Sequence, residues 1–244
     1  MLGDTQWCSP CCCCKQLPES GYSAGNDFSD KCWNVVGGSQ GASGMTFTTP
    51  GPTGFGIIYG SAWRCFIVPQ CNSAEVRMRA TVNVNQAKES MLLMYALLSS
   101  SPIMPTGFSG LGAGWWVRSG VRYSDEMTGD LGYHANRMIA VSSGNTNTGL
   151  PFFENQEKPP DNSPWPTAIG QTHEIDARFQ YSTVPDKFGA GWSVQHGRIS
   201  AGMPFGGLGL GELYFGIAAQ TTVFTFGQGD TVTFSDFSVT LDYS

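Results

Sequence analysis

The sequence predicts an all-β protein, an antiparallel two-sheet β-sandwich in which most of the chain forms one domain. First, 32 of the 244 residues are glycine and 14 are proline, a content that suits many turns between short strands. Second, only 13% of the residues are charged, and the chain lacks the Ala, Glu, Lys and Leu bias of helical proteins. Third, apolar residues recur at every second position, whereas helical periodicity does not recur. A chain of this length commonly forms a single sandwich.

The clearest alternation lies in residues 75–84 (EVRMRATVNV), which predict a strand with one buried face. Its inward residues are Val76, Met78, Ala80, Val82 and Val84, and its outward residues are Glu75, Arg77, Arg79, Thr81 and Asn83. The next segment, residues 91–98 (MLLMYALL), is apolar at almost every position. Such a run predicts a strand that is buried on both faces.

Two later segments repeat the alternation. Residues 115–123 (WWVRSGVRY) place Trp115, Val117, Val121 and Tyr123 on one face and Trp116, Arg118 and Arg122 on the other. Residues 173–181 (HEIDARFQY) place Ile175, Ala177, Phe179 and Tyr181 inward and Glu174, Asp176, Arg178 and Gln180 outward. Both segments therefore predict strands of a layered β-structure.

The last strand, residues 232–243, changes the side of its apolar residues along its length. Val232 and Phe234 share one face, whereas the opposite face carries Phe237, Val239, Leu241 and Tyr243. An extra residue in one strand of a pair produces such a change. The sequence therefore predicts a bulge or bend near Ser235 and Asp236.

Shorter segments complete the predicted sandwich. Further strands are expected at residues 45–48, 55–59, 137–141, 192–195, 213–219 and 223–226. Residues 150–171 contain several prolines, which cannot donate to a β-ladder, and they are expected to form a long irregular loop. With neither an internal repeat nor a long linker, the sequence predicts a Cys-rich N-terminal arm, residues 1–23, and one sandwich domain, residues 24–244.

Charge and hydropathy exclude two classes of partner. The net charge is −6, and the 13 Lys and Arg residues are scattered, so a nucleic-acid partner is not expected. No segment approaches the roughly 18 apolar residues of a membrane span. The N-terminus lacks the basic and apolar regions of a secretory signal, yet eight cysteines suit an oxidising or metal-bearing setting. A processed chain or a virion protein that matures after assembly reconciles these facts, and we expect a virion or extracellular surface location.

Segments near both ends resemble a known superfamily. NDFSDKCWNVVGG and GMTF near the start, together with ELYFGIAAQ and TVTFSDFSVTLDY at the end, resemble the concanavalin A-like lectin/glucanase jelly rolls, which include laminin-G-like and pentraxin-like domains. The resemblance covers residues 25–244. It implies that the first and last strands lie side by side, and it supports the fold without supporting a particular activity.

The resemblance to glucanases does not extend to their catalytic carboxylates. Such enzymes place acids at alternate positions of one strand, and Glu174 and Asp176 are the nearest match, with Arg178 in place of a third acid. An arginine there favours ionised carboxylates over a general acid. We therefore predict no catalytic residues. The alternative is a carbohydrate-active enzyme that pairs Glu154 or Glu157 with Glu174.

Sugar binding needs flat aromatic surfaces and fixed hydrogen-bond donors. Trp116, Arg118 and Arg122 share one strand face, and Trp165 lies in the proline-rich loop, so these four residues are the predicted glycan-binding residues. A core or interface role is the alternative for the Trp115–Trp116 pair.

A structural Ca²⁺ site is implied by the resemblance. Many relatives bind one Ca²⁺ where the terminal strands meet, and Asn26, Asp27 and Asp236 are the matching oxygen-bearing positions. The alternative is that Asp27 and Asp236 cap turns. No other cofactor is expected.

The eight cysteines admit metal binding or disulfides. Zinc bound by Cys8, Cys11, Cys14 and Cys32 is one arrangement, although Cys12 and Cys13 would compete as ligands. Disulfides fit better: Cys65 and Cys71 flank a five-residue segment, and Cys32 is expected to pin one member of the N-terminal cluster.

The N-terminal arm is interpreted as a tether. Successive residues of an extended segment face opposite ways, so some cluster thiols should point toward other subunits. Together, these features favour a non-enzymatic structural or display protein of a virion or cell-surface assembly, such as a capsid decoration, fibre or filament subunit, with glycan-binding capacity. Its expected partners are copies of itself, other assembly subunits and glycans.

Overall fold

A computed structural model describes residues 14–48, 58–86, 92–100, 116–125, 133–142, 153–157, 172–186, 189–196, 199–202, 210–221 and 231–244. Their regular structure consists of the strands β1 Lys15–Gln16, β2 Tyr22–Gly25, β3 Asn34–Val36, β4 Gly38–Gly41, β5 Gly44–Thr48, β6 Ile58–Val68, β7 Ser73–Gln86, β8 Leu92–Ser99, β9 Trp116–Asp125, β10 Tyr133–Ser142, β11 Phe153–Glu157, β12 Thr172–Asp186, β13 Gly189–His196, β14 Ile199–Gly202, β15 Gly211–Thr221 and β16 Thr231–Tyr243. These ranges contain no helix that is long and apolar enough to span a membrane.

The strands form two sheets, which confirms the predicted antiparallel sandwich. Sheet A has the order β1-β6-β15-β8-β9-β10-β11, with β3 also paired to β6. Sheet B has the order β14-β13-β12-β7-β16-β5-β4, with β2 also paired to β16. Every pair is antiparallel except β1 with β6.

The core lies between the sheets and uses the alternation predicted from the sequence. Most of the predicted inward residues of β7 and β12 are at most 2% exposed, namely Val76, Met78, Ala80, Val82, Val84, Ile175, Ala177 and Phe179. Tyr181, also predicted to point inward, is partly exposed and packs against the core. Sheet A contributes the facing layer through residues such as Phe66, Met94, Phe215 and Ile217. Burial of these apolar side chains is the main stabilising term of the sandwich.

Two predictions about irregular segments have different outcomes. The predicted bulge in β16 is confirmed, because its register to β7 shifts between Ser235 and Ser238 and Asp236 has a φ of 54°. The expectation that residues 150–171 are wholly irregular is wrong, because β11 pairs with β10 inside this segment. The sequence FENQE of β11 contains no proline, so its backbone amides remain available for the ladder. The strand predicted at residues 223–226 lies outside the described residues.

The terminal segments meet in sheet B, as the resemblance implies. Strand β2 pairs with β16 through Tyr22 and Val239, and the Asp236 amide donates to Asn26 Oδ1 at 3.0 Å. Trp33 Nε1 and Arg64 donate to the Tyr22 hydroxyl at 3.0 and 3.1 Å. These contacts fasten the N-terminal segment to both sheets.

The disulfide prediction is wrong in its pairing. Cys14 is bonded to Cys65, whereas neither Cys32, which is buried, nor Cys71, which is partly exposed, takes part in a disulfide within the described residues. The parallel register of β1 with β6 explains the pairing, because Lys15 lies opposite Phe66 and the preceding residues, Cys14 and Cys65, therefore lie side by side with Cα atoms 4.7 Å apart.

The described part of the arm is integral to the sandwich. Lys15–Gln16 adds a strand to sheet A, and Leu17 is buried in the core. The predicted boundary after Ser23 falls inside β2. Residues 1–13, with Cys8, Cys11, Cys12 and Cys13, lie outside the described residues, so the division into arm and domain stays a prediction.

Candidate functional site

The predicted glycan-binding residue Arg118 lies on the outward face of sheet A, but it is buried. Its side chain is 4% exposed, and its guanidinium lies 5.2 Å from the centre of the Tyr95 ring. It donates to Gln220 Oε1 at 2.8 Å, and the Tyr95 hydroxyl donates to the same oxygen at 3.2 Å. Arg118 is therefore not part of an open surface in this structure.

The other predicted glycan-binding residues are not described at the side-chain level. The backbone of β9 places Trp116, Arg118 and Arg122 at alternate positions of one strand. The side chains of Trp116 and Arg122, and all of Trp165, lie outside the described residues. Glycan binding by these four residues stays a prediction.

The network around Arg118 occupies a surface of sheet A that faces away from the core. Tyr95, Leu97 and Ala218 on this surface are fully buried, although their strand neighbours supply the core on the opposite face. Burial raises the pKa of the Tyr95 hydroxyl, which stays protonated and able to donate. The double burial of β8 confirms the prediction made from its continuous apolar run.

The predicted Ca²⁺ ligands are close together but already hydrogen-bonded to the protein. Asn26 Oδ1 accepts the Asp236 amide at 3.0 Å, and the Ser235 hydroxyl donates to Asp236 Oδ2 at 3.2 Å. Asp27 Oδ1 accepts the Ser29 amide at 2.9 Å, and hydrogen bonds from the Ser29 hydroxyl and amide hold the pKa of Asp27 below its usual range. These contacts match the alternative reading as turn caps, and Ca²⁺ binding stays a prediction.

One of the four cysteines predicted as zinc ligands, Cys14, is not available to bind a metal. Cys14 forms a disulfide with Cys65, so its sulfur is not available as a zinc thiolate. Within the described ranges, the only group of three His, Cys, Asp or Glu donor atoms that lie within 4.8 Å of one another is Cys14, Cys65 and Glu212. This group contains the disulfide and is not a metal site.

The carboxylates of β12 are paired with arginines. Asp176 Oδ1 accepts Arg77 Nε at 2.6 Å, a second Arg77 nitrogen donates to Oδ2, and Arg79 Nε lies 3.6 Å from Oδ2. The hydrogen bonds from Arg77 are the main reason that the pKa of Asp176 lies below its usual range. A carboxyl held ionised in this way is unsuited to general acid catalysis.

The alternative hypothesis, a carbohydrate-active enzyme, pairs carboxylates that belong to different sheets. Glu174 lies in sheet B, whereas Glu154 and Glu157 belong to β11 in sheet A. The side chains of β11 lie outside the described residues, so this pairing stays a prediction.

The outward side chains of β7, β12 and β16 form one continuous polar surface, which we call the polar face. They follow the rows set by strand register, and they are Ser73, Glu75, Arg77, Arg79, Thr81, Asn83, Asn85, Thr172, Glu174, Asp176, Arg178, Gln180, Ser182, Thr231, Thr233, Ser235, Ser238, Thr240 and Asp242. All are partly or largely exposed. The polar face carries a cleft at each end.

The first cleft, which we call the end cleft, has a volume of about 370 Å³. It is lined by Ser73, Ala74, Glu75, Gln180, Tyr181, Ser182, Gly191, Trp192, Ser193, Asp242, Tyr243 and Ser244. Glu75 lies directly between Gln180 of β12 and Asp242 of β16 in the strand register. Gln180 Nε2 donates to Glu75 Oε2 at 2.8 Å. The cleft therefore presents carboxylate and hydroxyl oxygens on the polar face, whereas Tyr181 and Tyr243 belong to the neighbouring inward-facing row.

Glu75 and Asp242, the two carboxylates of the end cleft, lie directly opposite each other on neighbouring strands. Like charges directly opposite on neighbouring strands are destabilising. The Glu75 carboxylate accepts a hydrogen bond from the Gln180 amide, whereas Asp242 is exposed at the edge of the cleft. Hydroxyl groups of a bound ligand would donate to these oxygens and relieve the repulsion.

The second cleft, which we call the hairpin cleft, has a volume of about 450 Å³. One row of side chains crosses its floor through strand register, namely Thr46, Thr233, Asn83 and Thr172. The Thr46 and Thr233 hydroxyls lie 2.9 Å apart, and Asn85 Nδ2 donates to Thr233 Oγ1 at 2.6 Å. All of its side chains in the described ranges are uncharged.

The wall of the hairpin cleft is the β4–β5 turn, residues 41–44. Gly44 has a φ of +121°, and a Cβ atom at this position would lie 2.0 Å from the Phe234 carbonyl oxygen. Glycine is therefore required for the turn to lie against β16.

Sequence reasoning did not identify either cleft. The outward positions of Glu75, Gln180 and Thr233 follow from alternation, but the closeness of Glu75 to Asp242 depends on strand order. A signal was present in the outward set, because one end of it is uncharged and the other end is acidic.

Comparisons with known proteins support the fold. No protein-family model and no curated protein sequence matches the chain. The structure is similar to the lectin from Bauhinia forficata in complex with GalNAc, with a TM-score of 0.55, 12% identity, and coverage of 91% of this chain and 98% of the lectin. Peanut lectin gives a TM-score of 0.53, 12% identity, and coverage of 92% and 98%. A weaker match is an alginate lyase, with a TM-score of 0.48, 11% identity, and coverage of 92% and 97%. The chain has the concanavalin A-like jelly-roll fold.

Proposed function

We propose that this protein is a non-enzymatic carbohydrate-binding domain displayed on a virion or cell surface. The end cleft is the observation that carries the binding part of the proposal. It combines hydrogen-bond acceptors on Glu75 and Asp242 with a donor on Gln180. A concave site with a few fixed polar groups suits sugar rings, whose edges carry hydroxyls.

The arrangement favours binding over catalysis. Asp176, the acid most similar in position to a glucanase carboxylate, is held ionised by Arg77. The fold is compatible with both activities, so the cleft, and not the sandwich, supports binding.

Calorimetric titration of the full chain with neutral sugars tests the binding. The first probes are GalNAc and galactose, because the Bauhinia forficata lectin was solved with GalNAc and the UEA-II lectin, with a TM-score of 0.50, was solved with galactose. We expect Asp242→Asn and Gln180→Ala to weaken binding about tenfold each, since the first replaces a charged acceptor oxygen with an amide donor and the second removes an amide group.

Glu174→Gln is the matched control. Glu174 is an exposed carboxylate of the same polar face, and it lines neither cleft. Its variant should bind as the wild type does. Failure of a broad panel of neutral sugars to bind, or equal losses at Glu174 and Asp242, would contradict the end cleft as the site.

The display part of the proposal is supported by the arm. The Cys14–Cys65 disulfide fixes the start of β1 to sheet A and leaves four arm cysteines, Cys8, Cys11, Cys12 and Cys13, as candidates for bonds to neighbouring subunits. Non-reducing electrophoresis should show covalent oligomers that disappear when these four residues are changed to serine. A native monomer with free thiols at all cysteines except Cys14 and Cys65 would refute the tether.

A further inference from the structure

We infer that, given the glycan binding proposed above, the ligand is a neutral linear polysaccharide that lies along the polar face and occupies both clefts. The hairpin cleft is the new element. Its floor presents hydroxyl and amide groups from four neighbouring strands, Thr46 of β5, Thr233 of β16, Asn83 of β7 and Thr172 of β12.

The internal hydrogen bonds of the hairpin cleft fix the direction of its polar groups. Thr233 Oγ1 is shared by the Thr46 hydroxyl at 2.9 Å and by Asn85 Nδ2 at 2.6 Å. Asn83 Nδ2 reaches Thr172 Oγ1 at 3.4 Å. The array therefore combines donors and acceptors in fixed positions, and sugar hydroxyls, which both donate and accept, are suited to it.

The separation of the clefts sets the length of the ligand. Glu75 in the end cleft and Asn83 in the hairpin cleft lie eight residues apart on the same face of β7, a span of roughly 26 Å at about 3.3 Å per residue. No single sugar ring covers this distance. A ligand that occupies both clefts must be a chain of several residues.

The charges along the polar face favour an uncharged chain. The hairpin cleft has no charged side chain in its described lining, and the end cleft carries Glu75 and Asp242. In the middle, Arg77 is engaged by Asp176, and Arg79 and Arg178 are exposed. A polyanion in the end cleft would be repelled by Glu75 and Asp242, whereas a neutral chain meets no like charge in either cleft.

Oligosaccharide length is the variable that tests this arrangement. Linear neutral β-glucan and β-galactan oligosaccharides, from disaccharide to octasaccharide, are titrated into the full chain by calorimetry. We expect the affinity for the octasaccharide to exceed that for the disaccharide at least about tenfold, because the second cleft is engaged without a second loss of translational freedom. An affinity that does not change with length would overturn the inference.

Variants of each cleft separate this inference from the proposed function. The double variant Asn85→Ala, Thr233→Val should reduce octasaccharide affinity to the disaccharide value and leave disaccharide affinity unchanged, whereas Asp242→Asn should weaken both. Ser238→Ala, on the polar face but outside both clefts, is the control. Absence of disaccharide binding contradicts the end cleft, and length-independent binding contradicts only the two-cleft arrangement.

Two further outcomes would also overturn the inference. Polygalacturonate, an anionic linear chain, should bind more weakly than the neutral octasaccharide, and equal binding would contradict the charge argument. Sedimentation of the free protein provides the second check. A dimer that dissociates in the Asn85→Ala, Thr233→Val variant would show that a second copy, and not a polysaccharide, covers the polar face.

Discussion

The outward faces of the two sheets are built from similar alternating strands, yet they differ in exposure. On sheet B, Arg178 and Asp242 are exposed to solvent. On sheet A, Tyr95 and Leu97 are fully buried and Arg118 is 4% exposed. A polar residue at an alternate position therefore shows only that it faces away from the shared core. Whether that side meets water depends on what else the chain places there.

The largest expected effect separates two arginines that hold equivalent positions in the alternation. Arg118→Ala should lower the free energy of unfolding by about 2–5 kcal/mol, because it removes a buried side chain and its hydrogen bond to Gln220. Arg178→Ala, on the exposed polar face, should change it by less than about 0.5 kcal/mol. Urea unfolding measures both values, and equal effects would contradict the difference between the faces.

The disulfide at the edge of sheet A should have the next largest effect. Cys14→Ser should lower the free energy of unfolding by about 2–4 kcal/mol, since the bond joins residues 51 apart and restricts the unfolded chain. Cys71→Ser, at a partly exposed cysteine that does not take part in this disulfide, is the control and should be near neutral. Thermal unfolding of both variants decides the matter. A neutral Cys14→Ser variant would count against a role for this bond in stability.

A smaller effect is expected from single hydroxyl groups. Tyr95→Phe removes a buried donor to Gln220 and should lower the free energy of unfolding by about 1 kcal/mol. Tyr243→Phe removes a hydroxyl that lies 3.4 Å from Glu19 on an exposed residue, and little change is expected. Chemical denaturation of the pair gives the comparison, and a larger loss at Tyr243 would reverse it.

The smallest effect depends on pH and belongs to the polar face. Arg77 lowers the pKa of Asp176 in the folded state. The contribution of Asp176 to the free energy of unfolding is therefore fully present above the unfolded pKa of about 3.9, and it is lost as the pH falls through the folded pKa. Asp176→Asn should therefore lower the free energy of unfolding by up to about 1 kcal/mol at neutral pH and by progressively less in acid. Urea unfolding across this range tests the sign, and a cost that grows on acidification would contradict it.

Alternation in the sequence predicted a large part of the fold. It assigned the inward residues of β7 and β12 and located the bulge at Asp236. The resemblance of the terminal segments correctly placed Asn26 beside Asp236, 210 residues away. These features follow from local periodicity or from a pattern shared by the fold, so they can be read without coordinates.

Pairing between distant segments was less predictable. The short spacing of Cys65 and Cys71 suggested a bond between them, whereas the parallel register of β1 placed Cys14 beside Cys65. Proline content suggested a loop where β11 forms a strand. In both cases the choice of partner strand outweighed the local signal.

By itself, the sequence determined which side chains point toward the shared core, because the period of two in a strand is a local property of the backbone. Only the tertiary structure decided that Arg118 is buried, that Glu75 lies between Gln180 and Asp242, and that the polar face has a cleft at each end. Strand order and solvent exposure arise from contacts between residues far apart in the chain, and no local pattern encodes them.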